Sequence, residues 1–327
     1  MNKNMPAGGG SAFGGKIVFF GTANVALPIL EALLKQHEVV AVVTKPDAEA
    51  GRSQGLRESP VSALAKDLKL ATFKPETVQN NSEFFGQLQG LKADIFVVVA
   101  YGKILPMEII NLPQYKTINI HFSVLPKYRG PSPIQSALLN GDEQTGTSVF
   151  ILDQKVDDGS LLAQEIIGIE PDDNYFTLSD KLAKLSAGII NRVIQDYTSG
   201  LVTPLPQDET RASFTKIIAK ADGKINWQNS AAEIYNRFRA FYIWPGIWTT
   251  WNGKIIKITD CLPDPDLQTE SGSADNYGCG KMLEGGVVAC GNETFLQIKQ
   301  LQLEGKSEVA TADFLNGYPA FVGSKLE

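Results

Sequence analysis

Continuous apolar runs, each closed by glycine or polar residues, recur through the first part of the chain. They include KIVFFG at Lys16–Gly21, EVVAVVT at 38–44, ADIFVVVA at 93–100 and TSVFIL at 147–152. Such runs are typical of strands that helices cover on both faces. Apolar residues at helical spacing predict helices over 25–36, 61–70 and 133–140. The alternation predicts the α/β class, with an open, mostly parallel, Rossmann-like sheet.

The composition changes near residue 196, where DYTSGLVTPLPQDETR is rich in turn-forming and polar residues and predicts a linker. After it, a short helix (230–241) precedes several short β-type runs, which predict a small β-barrel of the OB-like kind or a sandwich. The predicted organisation is a flexible tail at 1–15, a first domain at 16–195, a linker at 196–212 and a second domain at 213–327.

Charge and cysteine usage narrow the classes of function. The 327 residues carry 30 Lys and Arg against 36 Asp and Glu, so a nucleic-acid partner would need local basic patches. Three cysteines without a CxxC pair, and only two histidines, predict no zinc site and favour a reducing compartment. No apolar run approaches the ~20 residues of a membrane span. The opening MNKNMPAGGGSAFGG lacks a signal peptide's apolar core, so we expect a cytoplasmic protein without a membrane partner.

Polar side chains end one of the predicted strands, TINIH at Thr117–His121. Residues two apart share a strand face, so Asn119, His121 and Ser123 point the same way. In open α/β sheets the ligand crevice lies beyond the carboxyl ends of the strands, which places this face at its mouth. Taken alone, the pair is equally well explained by a buried, hydrogen-bonded histidine and a turn-forming asparagine.

A second polar cluster, with Asp157, Asp158 and Gly159, follows the apolar run at 147–152. Turn formation alone could explain Asp-Asp-Gly. An aspartate beside a strand-end histidine and asparagine would instead supply a base or orienting group, an imidazole and an amide donor. That set suits attack of an amine on a carbonyl. Nucleotide sites are not supported, because GTANVA is not GxGxxG and GKS at 305–307 lacks the first glycine of a P-loop.

Six segments together resemble one known family. They are KIVFFGT, PDAEAGR, VVVAYGKILP, INIHFSVLPKYRGPSPIQ, LDQKVDDGSLL and FRAFYIWPGIWTTWNGKIIKI. In this order they are similar to the folate-dependent formyltransferases, in particular to the branch that acts on methionyl initiator tRNA. The resemblance implies that Asn119, His121 and Asp157 are the catalytic trio, with 10-formyltetrahydrofolate as co-substrate and no metal.

The resemblance also implies a folate-binding segment, formed by Ser123, Val124, Leu125 and Pro126. Val124 departs from the family's S-L-L-P, and Asp158 stands where the family has the threonine of D-T-G. We expect Asp158 to be a solvent-facing turn residue.

The acceptor implied by the resemblance is the α-amine of methionine on initiator tRNA. The segment TKPDAEAGRSQGLRESP at 44–60 is longer than the ~2–6 residues usual for such a connection. Its Lys45, Arg52 and Arg57 are predicted to bind tRNA, and Arg52 matches the family's central arginine. Two alternatives stay open: a formyltransferase for a sugar-nucleotide amine or glycinamide ribonucleotide, and a catalytically silent RNA- or folate-binding module. We expect a monomer.

Overall fold

The computed structural model describes residues 14–50, 55–264 and 277–327, without the side chains of 49, 50, 55 and 56. Its strands are β1 (Lys16–Gly21), β2 (Glu38–Val43), β3 (Ala48–Ala50), β4 (Gly55–Arg57), β5 (Thr72–Phe73), β6 (Ile95–Val99), β7 (Thr117–His121), β8 (Gln144–Ile151), β9 (Leu161–Gly168), β10 (Ile247–Trp251), β11 (Lys254–Asp264), β12 (Val287–Ala289), β13 (Phe295–Leu303) and β14 (Glu308–Ala310). Its α-helices are α1 (Leu27–Leu34), α2 (Pro60–Asp67), α3 (Ser82–Gly90), α4 (Met107–Ile110), α5 (Pro133–Leu139), α6 (Tyr175–Thr198), α7 (Ala231–Ala240) and α8 (Thr311–Gly317).

The larger sheet has seven strands in the order β5-β2-β1-β6-β7-β8-β9. The neighbours from β5 to β7 are parallel, and β7 pairs with β8 in the antiparallel sense. The central strand β6 is buried along its length, as its apolar run predicts, since none of its residues is above 7% exposure. The predicted α/β class with a mostly parallel sheet is confirmed.

The chain forms two compact units. The first comprises the described residues up to Pro131 together with Gly146–Ile167 and Ser179–Phe214. The second comprises the described residues of Ser132–Thr145, Gly168–Leu178 and Thr215–Glu327. The predicted domain boundaries stay a prediction. The whole of the predicted linker nevertheless belongs to the first unit, where Leu161 and Leu205 form a β-bridge.

The second unit contains the smaller sheet, with strand order β10-β11-β13-β12 and β14 paired to β13. All of these pairs are antiparallel, and the predicted β-rich C-terminal part is confirmed. Two register shifts interrupt β11 between Ile258 and Cys261, and such shifts bend a strand. In the described part of the chain, no helix is long and apolar enough to cross a bilayer.

Candidate active site

The strand β7 ends with the two polar residues that the sequence singles out. Ile118 and Ile120 alternate with them and are buried, so the opposite face of the strand is part of the core. Asn119 is half-buried, and its side chain makes no hydrogen bond to another described residue. The carboxyl end of β7 therefore presents an amide that is available to a ligand.

The imidazole of His121 is 6% exposed and has a neighbour at each nitrogen. Its Nε2 lies 2.8 Å from the carbonyl oxygen of Tyr128, and its Nδ1 lies 3.5 Å from Oδ2 of Asp157. A carbonyl only accepts, so Nε2 carries a hydrogen and donates it to Tyr128. In a neutral ring Nδ1 then has a lone pair facing the carboxylate. Asp157 thus faces the ring at the nitrogen that Tyr128 does not engage.

Asp157 is held in an uncommon main-chain conformation, with φ 53°. Its Oδ2 accepts the N–H of Gly130 at 2.8 Å, and its own carbonyl accepts the side-chain amide of Gln207 at 2.9 Å. The loop then returns against β8 at Gly159, where a Cβ would collide with the carbonyl oxygen of Ile151. The glycine thus permits the close approach that directs Asp157 toward His121.

The four predicted folate-binding residues alternate in exposure. Ser123 and Leu125 are buried, at 0% and 2%, whereas Val124 and Pro126 are half-exposed. Only Val124 and Pro126 can therefore offer side-chain surface to a ligand without rearrangement.

Two side chains that sequence reasoning missed support this segment. The Ser148 hydroxyl accepts the N–H of Leu125 at 3.0 Å and donates to the carbonyl of Ser123 at 2.7 Å. The Gln164 amide donates to the carbonyl of Leu125 and to the Ser148 hydroxyl, both at 2.8 Å. Ser148 lies opposite His121 in the pairing of β7 with β8. The sequence signal that could have identified it was therefore its position in the strand β8.

Arg129 is 2% exposed and anchors the loop that follows β7. Its guanidinium donates to Oε1 of Gln207 at 2.9 and 3.1 Å and to the Glu209 carboxylate at 2.6 and 3.0 Å. The hydrogen bond to Glu209 raises the pKa of Arg129 and lowers that of Glu209. Sequence reasoning missed both partners, because they lie in a segment whose composition predicts a linker.

The expectation for Asp158 is wrong. Its side chain is 12% exposed, not solvent-facing, and its Oδ2 lies 3.6 Å from Nζ of Lys155. Its Oδ1 is buried and has no hydrogen-bond partner among the described residues. The close approach at Gly159 draws the turn inward, and the carboxylate contributes to the raised pKa of Arg129.

The segment predicted to bind tRNA contains a hairpin, since β3 and β4 pair with Ala48 opposite Arg57. Arg57 is exposed, and Arg52 lies outside the described residues. Lys45 is half-buried, and its Nζ would lie 2.5 Å from a Cβ at Gly102, so this side chain extends across the glycine just beyond β6. Within the described ranges, no three or more His, Cys, Asp or Glu residues form a group that could hold a metal ion.

Comparison with known sequences assigns both parts of the chain. Residues 15–194 match the Formyl transferase family, and residues 217–319 match the Formyl transferase C-terminal domain. The chain belongs to the formyl transferase family. It is 39% identical to a methionyl-tRNA formyltransferase of Caldicellulosiruptor saccharolyticus, over 95% of this chain and 99% of that protein. It is 34% identical to the methionyl-tRNA formyltransferase of Staphylococcus aureus, again over 95% of this chain and 99% of that protein.

Solved structures show the same fold at low sequence identity. An N-formyltransferase of Helicobacter canadensis, in complex with folinic acid and dTDP-3-aminofucose, has a TM-score of 0.62 and 20% identity over 86% of this chain and 97% of its own. HypX from Aquifex aeolicus, in complex with tetrahydrofolic acid, has a TM-score of 0.61 and 14% identity over 94% of this chain and 48% of its own. Family membership makes the chain an enzyme of formyl transfer, as the resemblance implies.

Proposed function

We propose that this enzyme transfers the formyl group of 10-formyltetrahydrofolate to the α-amine of methionine on initiator tRNA. The observation that carries the proposal is the convergence of Asn119, His121 and Asp157 at the carboxyl end of β7. The relatives of 34–39% identity that support the acceptor are similar over nearly their whole length. The structural neighbour that holds an amino-sugar nucleotide is only 20% identical.

The folate donor is supported by two lines of evidence. Structural neighbours were solved with folinic acid or tetrahydrofolic acid, and they share the fold. Val124 and Pro126 add half-exposed apolar surface next to His121, which suits the mostly apolar pockets that bind such ligands.

The proposed reaction is a direct transfer between two nitrogens. An α-amine has a pKa near ~8, so a useful fraction is neutral at cytoplasmic pH. Its lone pair attacks the formyl carbon, the carbonyl oxygen becomes an oxyanion, and the bond to the folate nitrogen then breaks. One proton leaves the acceptor nitrogen and one is delivered to the folate nitrogen.

Each member of the trio has a proposed part in this transfer. Asn119 donates its free amide to the oxyanion. His121 reaches the oxyanion by exchanging its bond to the Tyr128 carbonyl for one to the substrate. Asp157 orients His121 and stabilises the imidazolium while protons move through water. All three lie in the first unit of one chain, which supports a monomer, and we place the enzyme in the cytoplasm, where initiator tRNA is used.

The test compares three acceptors with the same formyl donor: methionyl initiator tRNA, methionyl elongator tRNA and an amino-sugar nucleotide. We expect formylation of the initiator tRNA, far slower reaction of the elongator and none of the sugar. Preference for the amino sugar would favour the sugar-nucleotide alternative. Absence of turnover with every amine would favour a binding module.

A further inference from the structure

The side-chain amide of Gln207 uses all of its hydrogen-bonding capacity beside the candidate active site. Its Nε2 donates to the carbonyl oxygens of Asp157 at 2.9 Å and Gly159 at 2.8 Å. Its Oε1 accepts both Nε and Nη2 of Arg129. An amide has two donor hydrogens and two acceptor lone pairs, and all four are engaged. Because all four hydrogen-bonding sites are used in one orientation of the side chain, position 207 requires an amide.

The two carbonyls that Gln207 binds flank Asp158 and fix the turn that carries Asp157. The left-handed φ of Asp157 persists only where the surroundings over-determine it. Holding both carbonyls from one amide fixes the main chain on the carboxyl side of Asp157. The direction of its side chain, and so the 3.5 Å approach of Oδ2 to His121, depends on that main chain.

The Gln207 amide is also hydrogen-bonded to the loop that follows β7, and this loop contacts both His121 and Asp157. Three consecutive residues of that loop make one such contact each. The Tyr128 carbonyl accepts from His121, the Arg129 side chain donates to Gln207, and the Gly130 N–H donates to Asp157. Hydrogen bonds thus connect this loop to Gln207 and to Asp157, while His121 faces Asp157 at 3.5 Å without a hydrogen bond. A shift of Gln207 would therefore displace the aspartate relative to the imidazole.

We propose that Gln207 is a positioning residue, which together with Arg129 holds Asp157 at its working distance from His121. The proposal rests on the proposed function, because it concerns the same trio. Gln207 acts through Asp157 and not on a substrate. Its loss should therefore lower the rate of the chemical step and leave substrate affinity unchanged.

Gln207→Glu tests the donor function of this amide separately from its acceptor function. The carboxylate keeps the acceptors for Arg129 but loses both donors and faces two carbonyl oxygens. The chain offers a matched control in Gln297, whose Nε2 also donates to two carbonyls, those of Gly285 at 2.8 Å and Ile298 at 3.1 Å. Gln297 belongs to the second unit, so Gln297→Glu makes the same chemical change outside the unit that contains the trio.

The experiment measures kcat, KM for each substrate and the thermal unfolding midpoint for wild type, Gln207→Glu, Gln207→Met and Gln297→Glu. We expect both Gln207 variants to lose about 10- to 100-fold in kcat, as for a small misplacement of a catalytic group, with KM unchanged and the protein still folded at the assay temperature. Gln297→Glu should keep the wild-type kcat. In an Asp157→Asn background, Gln207→Glu should add little further loss, because both changes disable the same group.

Three results would overturn the proposal: wild-type kcat in Gln207→Glu, a loss that multiplies with that of Asp157→Asn, or failure of both Gln207 variants to fold. The last would assign Gln207 to the fold and not to the site. An inactive wild-type enzyme would instead count against the proposed function. If the acceptor proves to be a different amine, the same variants are compared with that amine.

Discussion

Asp157 is the residue on which the chemistry of the site depends most directly, since its carboxylate faces His121 at 3.5 Å and also accepts the Gly130 amide. Asn at this position keeps an oxygen for Gly130 and tolerates the left-handed φ, but it cannot take up a proton. Asp157→Asn should therefore lower single-turnover formylation by roughly 10²–10⁴ while folate affinity survives.

Asp153→Asn is the matched control, because Asp153 is an exposed carboxylate on the same loop. It should behave as wild type. A near-normal single-turnover rate for Asp157→Asn would remove the aspartate from the mechanism.

Several site residues could be predicted from the sequence, and others could not. The two-residue period of β7 places Asn119 and His121 on one face, so their position needed no structure. Gln207 contacts the turn from 50 residues away along the chain, through a side chain whose neighbours in sequence indicate only a linker. The burial of Asp158 was mispredicted because Asp-Asp-Gly is typical of an exposed turn, whereas here the glycine draws the loop against β8.

At the level of elements, the predictions succeeded where one physical pattern dominates. The continuous apolar runs gave β1, β2 and β6 nearly their observed bounds, because strands buried on both faces have little other sequence constraint. The short strands β3 and β4 were not predicted, since AEA and GLR carry no apolar alternation. Their antiparallel pairing, with Ala48 opposite Arg57, could only be seen in the structure.

The hairpin of β3 and β4 leads to a prediction about the acceptor. Arg52 lies in sequence between these strands and after β2, and open α/β folds bind ligands beyond the carboxyl ends of their strands. Arg52→Ala should raise the apparent KM for initiator tRNA and lower turnover with it, while folate binding stays intact. Loss of one phosphate contact should flatten the salt dependence of tRNA binding by about one unit of slope at most.

Lys66→Ala is the control for Arg52, because Lys66 is an exposed cation on α2 outside the hairpin. It should leave both KM and the salt slope unchanged. If Arg52→Ala formylated initiator tRNA normally and still rejected elongator tRNA, the hairpin would have no part in recognition.

At the scale of the whole molecule, a chain of net charge −6 is proposed to bind a polyanion. The overall field opposes tRNA, so attraction has to come from local groups such as the exposed Arg57 of the hairpin. Association should consequently weaken as salt rises by about one unit of logarithmic slope for each phosphate contact, so that few contacting cations give a shallow dependence.

Acid should destabilise both units of the molecule, because the carboxylates with clearly shifted pKa values are shifted downward. In the first unit these are Asp208, which is hydrogen-bonded to Thr210, and Glu209, which is bound to Arg129. In the second unit they are Asp222, which is bound to Lys216, and Glu233, which caps α7 with Ser230. A carboxylate whose pKa is lowered by folding stabilises the folded state above its ordinary pKa and loses that contribution as the pH falls through the lowered value. Stability should therefore be level near neutrality and decline as the pH drops below about 4.5, the ordinary pKa of glutamate.

Urea unfolding at pH 7 and below pH 4 measures this change in stability. Glu233→Gln keeps the size of the cap without its charge, so it should make the decline of the second unit shallower. Equal or greater stability in acid would contradict the prediction.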